Sequence, residues 1–222
     1  MEKKVRSMAV MNPYDAIGKA HNKGLDYVVE NLNAQDDIKH ERIVELVSQY
    51  MVSLTGKGTH DKDCAEMNEA FINNYVSVGK ALNFLATRSS AELLKEGKFN
   101  EKQVALIDAV LCVSEERALD REGTIKILQN IEERMLASDL STKELEVPLM
   151  LVSIAKYSVD YWMQQIKNDK SEWKNFINED FAKFKWPWKA DAMGALTGAG
   201  GGVIGIIGGA VGGSIAKALG LI

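Results

Sequence analysis

Residues 194–219 read GALTGAGGGVIGIIGGAVGGSIAKAL. Gly201, Gly205, Gly209 and Gly213 fall four apart, and so do Gly194, Gly198 and Gly202. Val203, Ile207, Val211, Ile215 and Leu219 form a third row with the same spacing, two positions out of step with the row that begins at Gly201. Two positions on an α-helix turn through about 200°. One face is then a glycine groove and the opposite face an aliphatic ridge. Overlapping G-x-x-x-G patterns let helix backbones approach closely, above all in lipid, where no hydrophobic force drives helices together. A flexible linker would be rich in glycine and serine and would lack the ridge.

Working outward, the chain from Ala192 to Ala216 carries no ionisable group over 25 residues. A spanning helix needs about 20 residues at about 1.5 Å each, so the length suffices for a membrane-inserting helix. Of the 18 glycines in the chain, 11 lie after residue 190, and this crowding sets the segment apart. Just upstream stand Trp186, Pro187, Trp188 and Lys189. Indoles and lysines beside an apolar run suit the membrane–water interface, so Trp186, Trp188 and Lys189 are expected as interface anchors. Lys217, near the far end, can snorkel to the same level. Trp173 and Phe176, spaced with Ile177, Phe181 and Phe184 along a helix face, are read as finishing a helical core. The same tail admits a second arrangement, a glycine-rich hairpin hinged at Gly200-Gly201-Gly202 and packed on the protein's own helices. A disordered tail is disfavoured by the aliphatic row.

The residues before the tail are helical in pattern. Asn12-Pro13 predicts a helix start, with Asn12 as cap and Pro13 at the first helical position. Ile17, Leu25, Val28, Val29 and Leu32 recur at helical spacing, as do Ile38, Ile43, Val44, Val47 and Met51 up to the Gly56-Lys57-Gly58 break. A third helix is expected over 61–87. Ser89 with Glu92, Asn100 with Gln103, and Ser141 with Glu144 have capping-box spacing and open helices near 90–97, 100–116 and 142–168, with another near 122–137. VPLMLVSIA at 147–155 is uncharged on every face, which predicts the central helix of a bundle; Pro148 falls in its first two turns. No alternating strand pattern is present. Residues 1–11 are basic, with an apolar patch shorter than an export signal needs, and are expected to be a flexible N-terminus.

The segment 194–219 resembles the glycine-zipper segments of bacteriocins and other membrane-permeabilising peptides. That resemblance implies a helix that inserts into a bilayer and self-associates through Gly201, Gly205, Gly209 and Gly213. Bacteriocins are short peptides, whereas here a helical domain precedes the segment. Residues 12–28, NPYDAIGKAHNKGLDYV, resemble uncharacterised Bacteroidota proteins, a resemblance that implies no activity.

Composition excludes several classes of function. With 27 basic against 31 acidic residues and a net charge of −4, the chain has no basic field for nucleic acid. Two cysteines, Cys64 and Cys112, make no disulfide framework and are expected as buried thiols on helices. His60, Asp61, Asp63 and Cys64 are metal-capable, but Asp63 and Cys64 point apart on a helix and no second cluster matches them; Asp61 as a cap is the simpler reading. His21 and His40 are isolated. Asp36-Asp37 and Glu115-Glu116 are sequence neighbours that do not face one another on a helix, so they make poor acid–base pairs. No nucleophile or zinc motif is present, and the glycine run has neither the strand nor the lysine of a phosphate loop.

The expected architecture is all-α: a flexible 1–11, a helical bundle over 12–188, and a glycine-rich membrane-insertion segment over 189–222. The expected function is non-enzymatic, without metal or cofactor. It is membrane-active, pore-forming or bacteriocin-like, with a bilayer as partner, and the protein is membrane-associated, or cytoplasmic until it inserts. Gly194, Gly198, Gly201, Gly202, Gly205, Gly209 and Gly213 would make helix contacts in a homo-oligomer, while Val203, Ile207, Val211 and Ile215 face lipid or a second helix. The alternative is a tail-anchored helical module whose bundle binds a protein partner.

Overall fold

The computed structural model describes residues 11–33, 38–55, 99–113, 121–177, 188–199 and 202–221. Among these the chain forms seven α-helices and no strand: α1 Asp15–Asn31, α2 His40–Thr55, α3 Glu101–Val113, α4 Arg121–Leu136, α5 Thr142–Lys167, α6 Trp188–Gly198 and α7 Gly202–Ala218, with a 3-10 turn at Glu172–Asn175 between α5 and α6. The all-α expectation holds. The helix expected over 61–87 and the capping box at Ser89 lie outside the described residues.

The long α5 is the central pillar, as its uncharged stretch predicts. Leu149 to Ala155 are buried at seven consecutive positions, which on a helix means burial all the way round. Helices α1, α3, α4 and α6 pack on it. Its start is fixed by a complete capping box: the Glu144 N–H donates to Ser141 Oγ, and the Ser141 N–H donates to Glu144 Oε2 at 2.9 Å. Helix α3 opens in the same way, with Asn100 N–H donating to Gln103 Oε1 and Gln103 N–H to Asn100 Oδ1, both at 2.9 Å. Each such cap contributes about 1 kcal/mol by satisfying donors that the helix leaves free.

The start of α1 differs from its sequence reading. The helix begins at Asp15, and Asn12 does not cap it. Its Oδ1 accepts from the Tyr14 N–H, closing a local turn. Its amide donates to Glu132 Oε1 at 2.7 Å and to the Leu149 carbonyl at 2.9 Å. The side chain is thus spent on pinning the chain to α4 and α5. Beside it, Lys156 bridges Glu132 at 2.7 Å and Asp15 at 3.4 Å, and the Tyr157 hydroxyl donates to Asp15 Oδ2 at 2.7 Å.

Trp173 completes the core, as expected. It is fully buried against Trp162, ring centroids 5.0 Å apart, and its Nε1–H donates to the Tyr161 hydroxyl at 2.8 Å. It sits in the 3-10 turn rather than in a helix running on past Ile177. Cys112 departs from expectation: it lies on α3 and is exposed. Cys64 lies outside the described residues, as do His60, Asp61 and Asp63.

Candidate functional site

The glycine segment does not form one long helix. It is broken between α6 and α7, and the two helices fold back on each other as an antiparallel hairpin. Gly202, at the start of α7, has φ +65°, a conformation that only glycine adopts without strain. At the other end, Gly220 (φ +68°) closes α7, with the Leu221 N–H donating to the Ala216 carbonyl at 2.9 Å.

The two glycine rows read from the sequence meet each other. Gly194 faces Gly209, Gly198 faces Gly205, and Ala190 faces Gly213, stepping by four on each helix. At every one of these glycines a Cβ would come closer than 3.0 Å to a carbonyl oxygen of the opposite helix. The contact is therefore backbone on backbone, with Cα–H groups set against carbonyls. Gly202 takes no part in it; its surroundings are open, and its role is to reverse the chain. Gly201 lies outside the described residues.

The ridge opposite the groove faces the bundle. Ile207, Val211 and Ile215 are buried in the same core as α1, α2 and α5, together with Ile206 and Ala210. Val211 packs into a notch made by Gly24 of α1, where an added Cβ would meet both Val211 and Tyr50 of α2 closer than 3.0 Å. These three positions, expected to face lipid or another helix, face the protein's own helices. Val203, near the hairpin tip, is the exception at 41% exposed. The boundary expected at 188/189 is likewise not a boundary in packing, since α6 and α7 share the core of α1–α5.

No helix among the described residues is long and apolar enough to cross a membrane. The reason is the break: α6 has 11 residues and α7 has 17, so they rise about 16 and 25 Å against a hydrocarbon core of about 30 Å. Of the expected anchors, Lys217 is exposed on the last turn of α7, where a cation suits the helix dipole. Trp186 and the side chains of Trp188 and Lys189 lie outside the described residues.

A polar cluster that the sequence reading missed is buried where the hairpin meets the bundle. Asp191 of α6 is fully buried and accepts a hydrogen bond from the Ser158 hydroxyl of α5. Ser214 of α7 accepts from Trp162 Nε1–H at 3.1 Å, and its hydroxyl beside Asp191 favours the ionised carboxylate. His21 of α1, fully buried, brings its Nε2 to 3.5 Å from Asp191 Oδ2, while its Nδ1 lies 3.0 Å from Asn22 Oδ1. Burial pushes the Asp191 carboxyl up to about 8 and the His21 imidazole down to about 4. Ser, His and Asp together suggest nucleophilic hydrolysis, but Asp191 rather than His21 holds the serine, and all of these side chains are sealed from solvent. The cluster joins elements; it does not receive a substrate. The signals in the sequence were an acidic residue at the very edge of the apolar run and one serine within α7.

Comparisons with protein-family models, with curated proteins and with solved structures give no match. Among the described residues, no group of three or more His, Cys, Asp or Glu side chains could hold a metal.

Proposed function

We propose that this protein is membrane-active: it keeps an apolar glycine hairpin sheathed in a helical bundle and delivers it to a bilayer. There the glycine faces that close on each other in the bundle re-pair between copies of the chain, permeabilising the membrane. The observation that carries the reading is the hairpin itself, 25 residues without an ionisable group, held to the bundle by an apolar ridge and one small polar cluster. Unpaired, the groove and ridge would be an apolar surface suited to lipid. The resemblance to bacteriocin segments supports antagonism between bacteria as the setting.

A second reading is favoured by how deeply Ile207, Val211 and Ile215 are buried. In it the hairpin is the permanent core of a bundle, and the bundle's outer surface binds a protein partner. An anchored version, with the tail in the membrane and the bundle outside, would need the same release of the hairpin.

One experiment separates these readings. Ser158 and Asp191 touch across the α5–α6 interface, so Ser158→Cys with Asp191→Cys, in a chain carrying Cys64→Ser and Cys112→Ser, can lock α6 to the bundle by a disulfide. The reading expects dye release from anionic phospholipid vesicles by the reduced chain, suppression on oxidation, and recovery with reductant. Failure of the wild-type chain to release dye or float with vesicles would remove the membrane reading and leave the permanent core.

A further inference from the structure

His21 and Asp191 are brought together by helices from opposite ends of the chain, with no solvent at either side chain. Among the described residues the groups facing them are few. From α5 come Ser158 and Trp162, from α7 Ser214, and beside His21 stands Asn22. Helix α2 faces this region with Tyr50, whose hydroxyl is committed to the Ala20 carbonyl, and α3 reaches α6 through Leu111 against Met193. Among the described residues no lysine, arginine or second carboxylate partners either side chain. Asp191 Oδ1 and His21 Nε2 have no hydrogen bond at all.

A buried carboxylate beside a neutral imidazole would leave one uncompensated charge with an unsatisfied oxygen, which costs several kcal/mol. A charged imidazole beside a carboxylic acid would be equally unbalanced. The pair is neutral only when it holds one proton. Whether that proton sits on the carboxyl or on the imidazole, as the ion-pair distance of 3.5 Å would suit, the count is the same.

We propose that docking the hairpin on the bundle takes up one proton, held by the His21–Asp191 pair. This concerns the closed fold alone and stands whether or not the hairpin enters a bilayer. In water the two groups titrate near 3.9 and 6.5. Between about pH 4 and 6.5 the unfolded chain also carries one proton on the two groups, so stability is level. Above about 6.5 the solvated pair holds none while the docked pair keeps its own up to the raised value of Asp191, about 8. Stability therefore falls as pH rises through that window. Mild acid holds the hairpin closed, and mild alkali loosens it.

The test is urea unfolding of the full chain from pH 5 to 8, with Asp191→Asn and His21→Gln alongside so that other titrating groups cancel in the ratios. The wild-type unfolding constant, relative to that of Asp191→Asn, should climb about tenfold per pH unit across the range. That of His21→Gln, relative to wild type, should climb about tenfold per unit up to pH 6.5 and then run level. A wild-type to Asp191→Asn ratio that stays constant means the docked pair holds no proton and overturns the proposal. A constant His21→Gln to wild-type ratio removes His21 from it. If Asp191→Asn does not fold, the wild-type profile still decides: an unfolding constant that is level to about pH 6.5 and then climbs supports the shared proton, whereas one that falls to about 6.5 and then levels, or stays level to about pH 8, refutes it.

Discussion

The bundle and the hairpin are built from the same helices but held by different means. In the bundle, helices meet mainly through large side chains: Trp162, Trp173, Leu151 and Ile154 are all buried around α5, with a close approach where Gly18 of α1 lies against the Ser153 carbonyl of α5. In the hairpin, α6 and α7 meet through backbone, with no side chain between Gly194 and Gly209 or between Gly198 and Gly205. A side-chain interface has slack, because neighbouring rotamers can shift when one group changes. A carbonyl lying over a glycine Cα has none, since moving it means moving a helix. The hairpin should be the more brittle half, although it is the half made of the smallest residues.

Breaking that contrast begins with the glycines. Gly209→Leu would drive a side chain into the Gly194 carbonyl, and we expect loss of more than about 4 kcal/mol, a large share of an ordinary stability of about 5–15 kcal/mol. The sharper form is Gly194→Ala. Helix propensity alone predicts a gain of about 1 kcal/mol, whereas the contact with Gly209 predicts a clear loss, so the sign of the shift in urea midpoint decides between them. It follows that replacing Gly205 and Gly209 with leucine cannot by itself separate a pore from an anchor. Those glycines hold the closed fold as well.

Next in size is Trp162→Ala, expected to cost about 3–5 kcal/mol by thermal unfolding. It removes the ring packed on Trp173 and frees Ser214, and so strikes bundle and hairpin together. The ionic clamp at the start of α1 should matter less. The Lys156 and Glu132 side chains are 14% and 12% exposed, so Lys156→Met leaves Glu132 poorly solvated with the Asn12 amide as its remaining partner among the described residues, at a cost of about 1–3 kcal/mol. Gly202→Ala tests the turn alone: nothing crowds the site, but φ is positive, so the expected loss is about 1–2 kcal/mol.

Much of this was legible beforehand, and what was not has a physical cause. The boxes at Asn100 and Ser141 were readable because their partners lie three residues away. The burial of α5 was readable because composition reports it directly. The two glycine rows were visible, but periodicity identifies a face and not what covers it, so pairing within one chain and pairing between copies look alike. The Gly200-Gly201-Gly202 triplet offered a hinge, but the same glycine spacing also fits one long helix, so the hairpin stood only as the second arrangement. Asp191 and His21 are 170 positions apart, and only the packing of α6 on α5 and α7 on α1 unites them. Asn12 misled as a cap because its bonds go to Glu132 and Leu149, partners no local pattern contains.

The smallest expected effect on stability bears most on function. Val203 is exposed at the hairpin tip, in contact with neither the glycine seam nor the Asp191 cluster. Val203→Asp should therefore leave urea stability within about 0.5 kcal/mol of wild type. If the hairpin is a permanent core, nothing else should change. If the hairpin enters a bilayer, its tip is a part that must cross or lodge in the hydrocarbon, where a carboxylate costs about 2.5–3.5 kcal/mol near the centre. Dye release should then fall by an order of magnitude or more. A variant as stable as wild type but unable to permeabilise vesicles would separate stored hairpin from permanent core without disturbing the fold, whereas equal release from both chains would exclude insertion led by the tip.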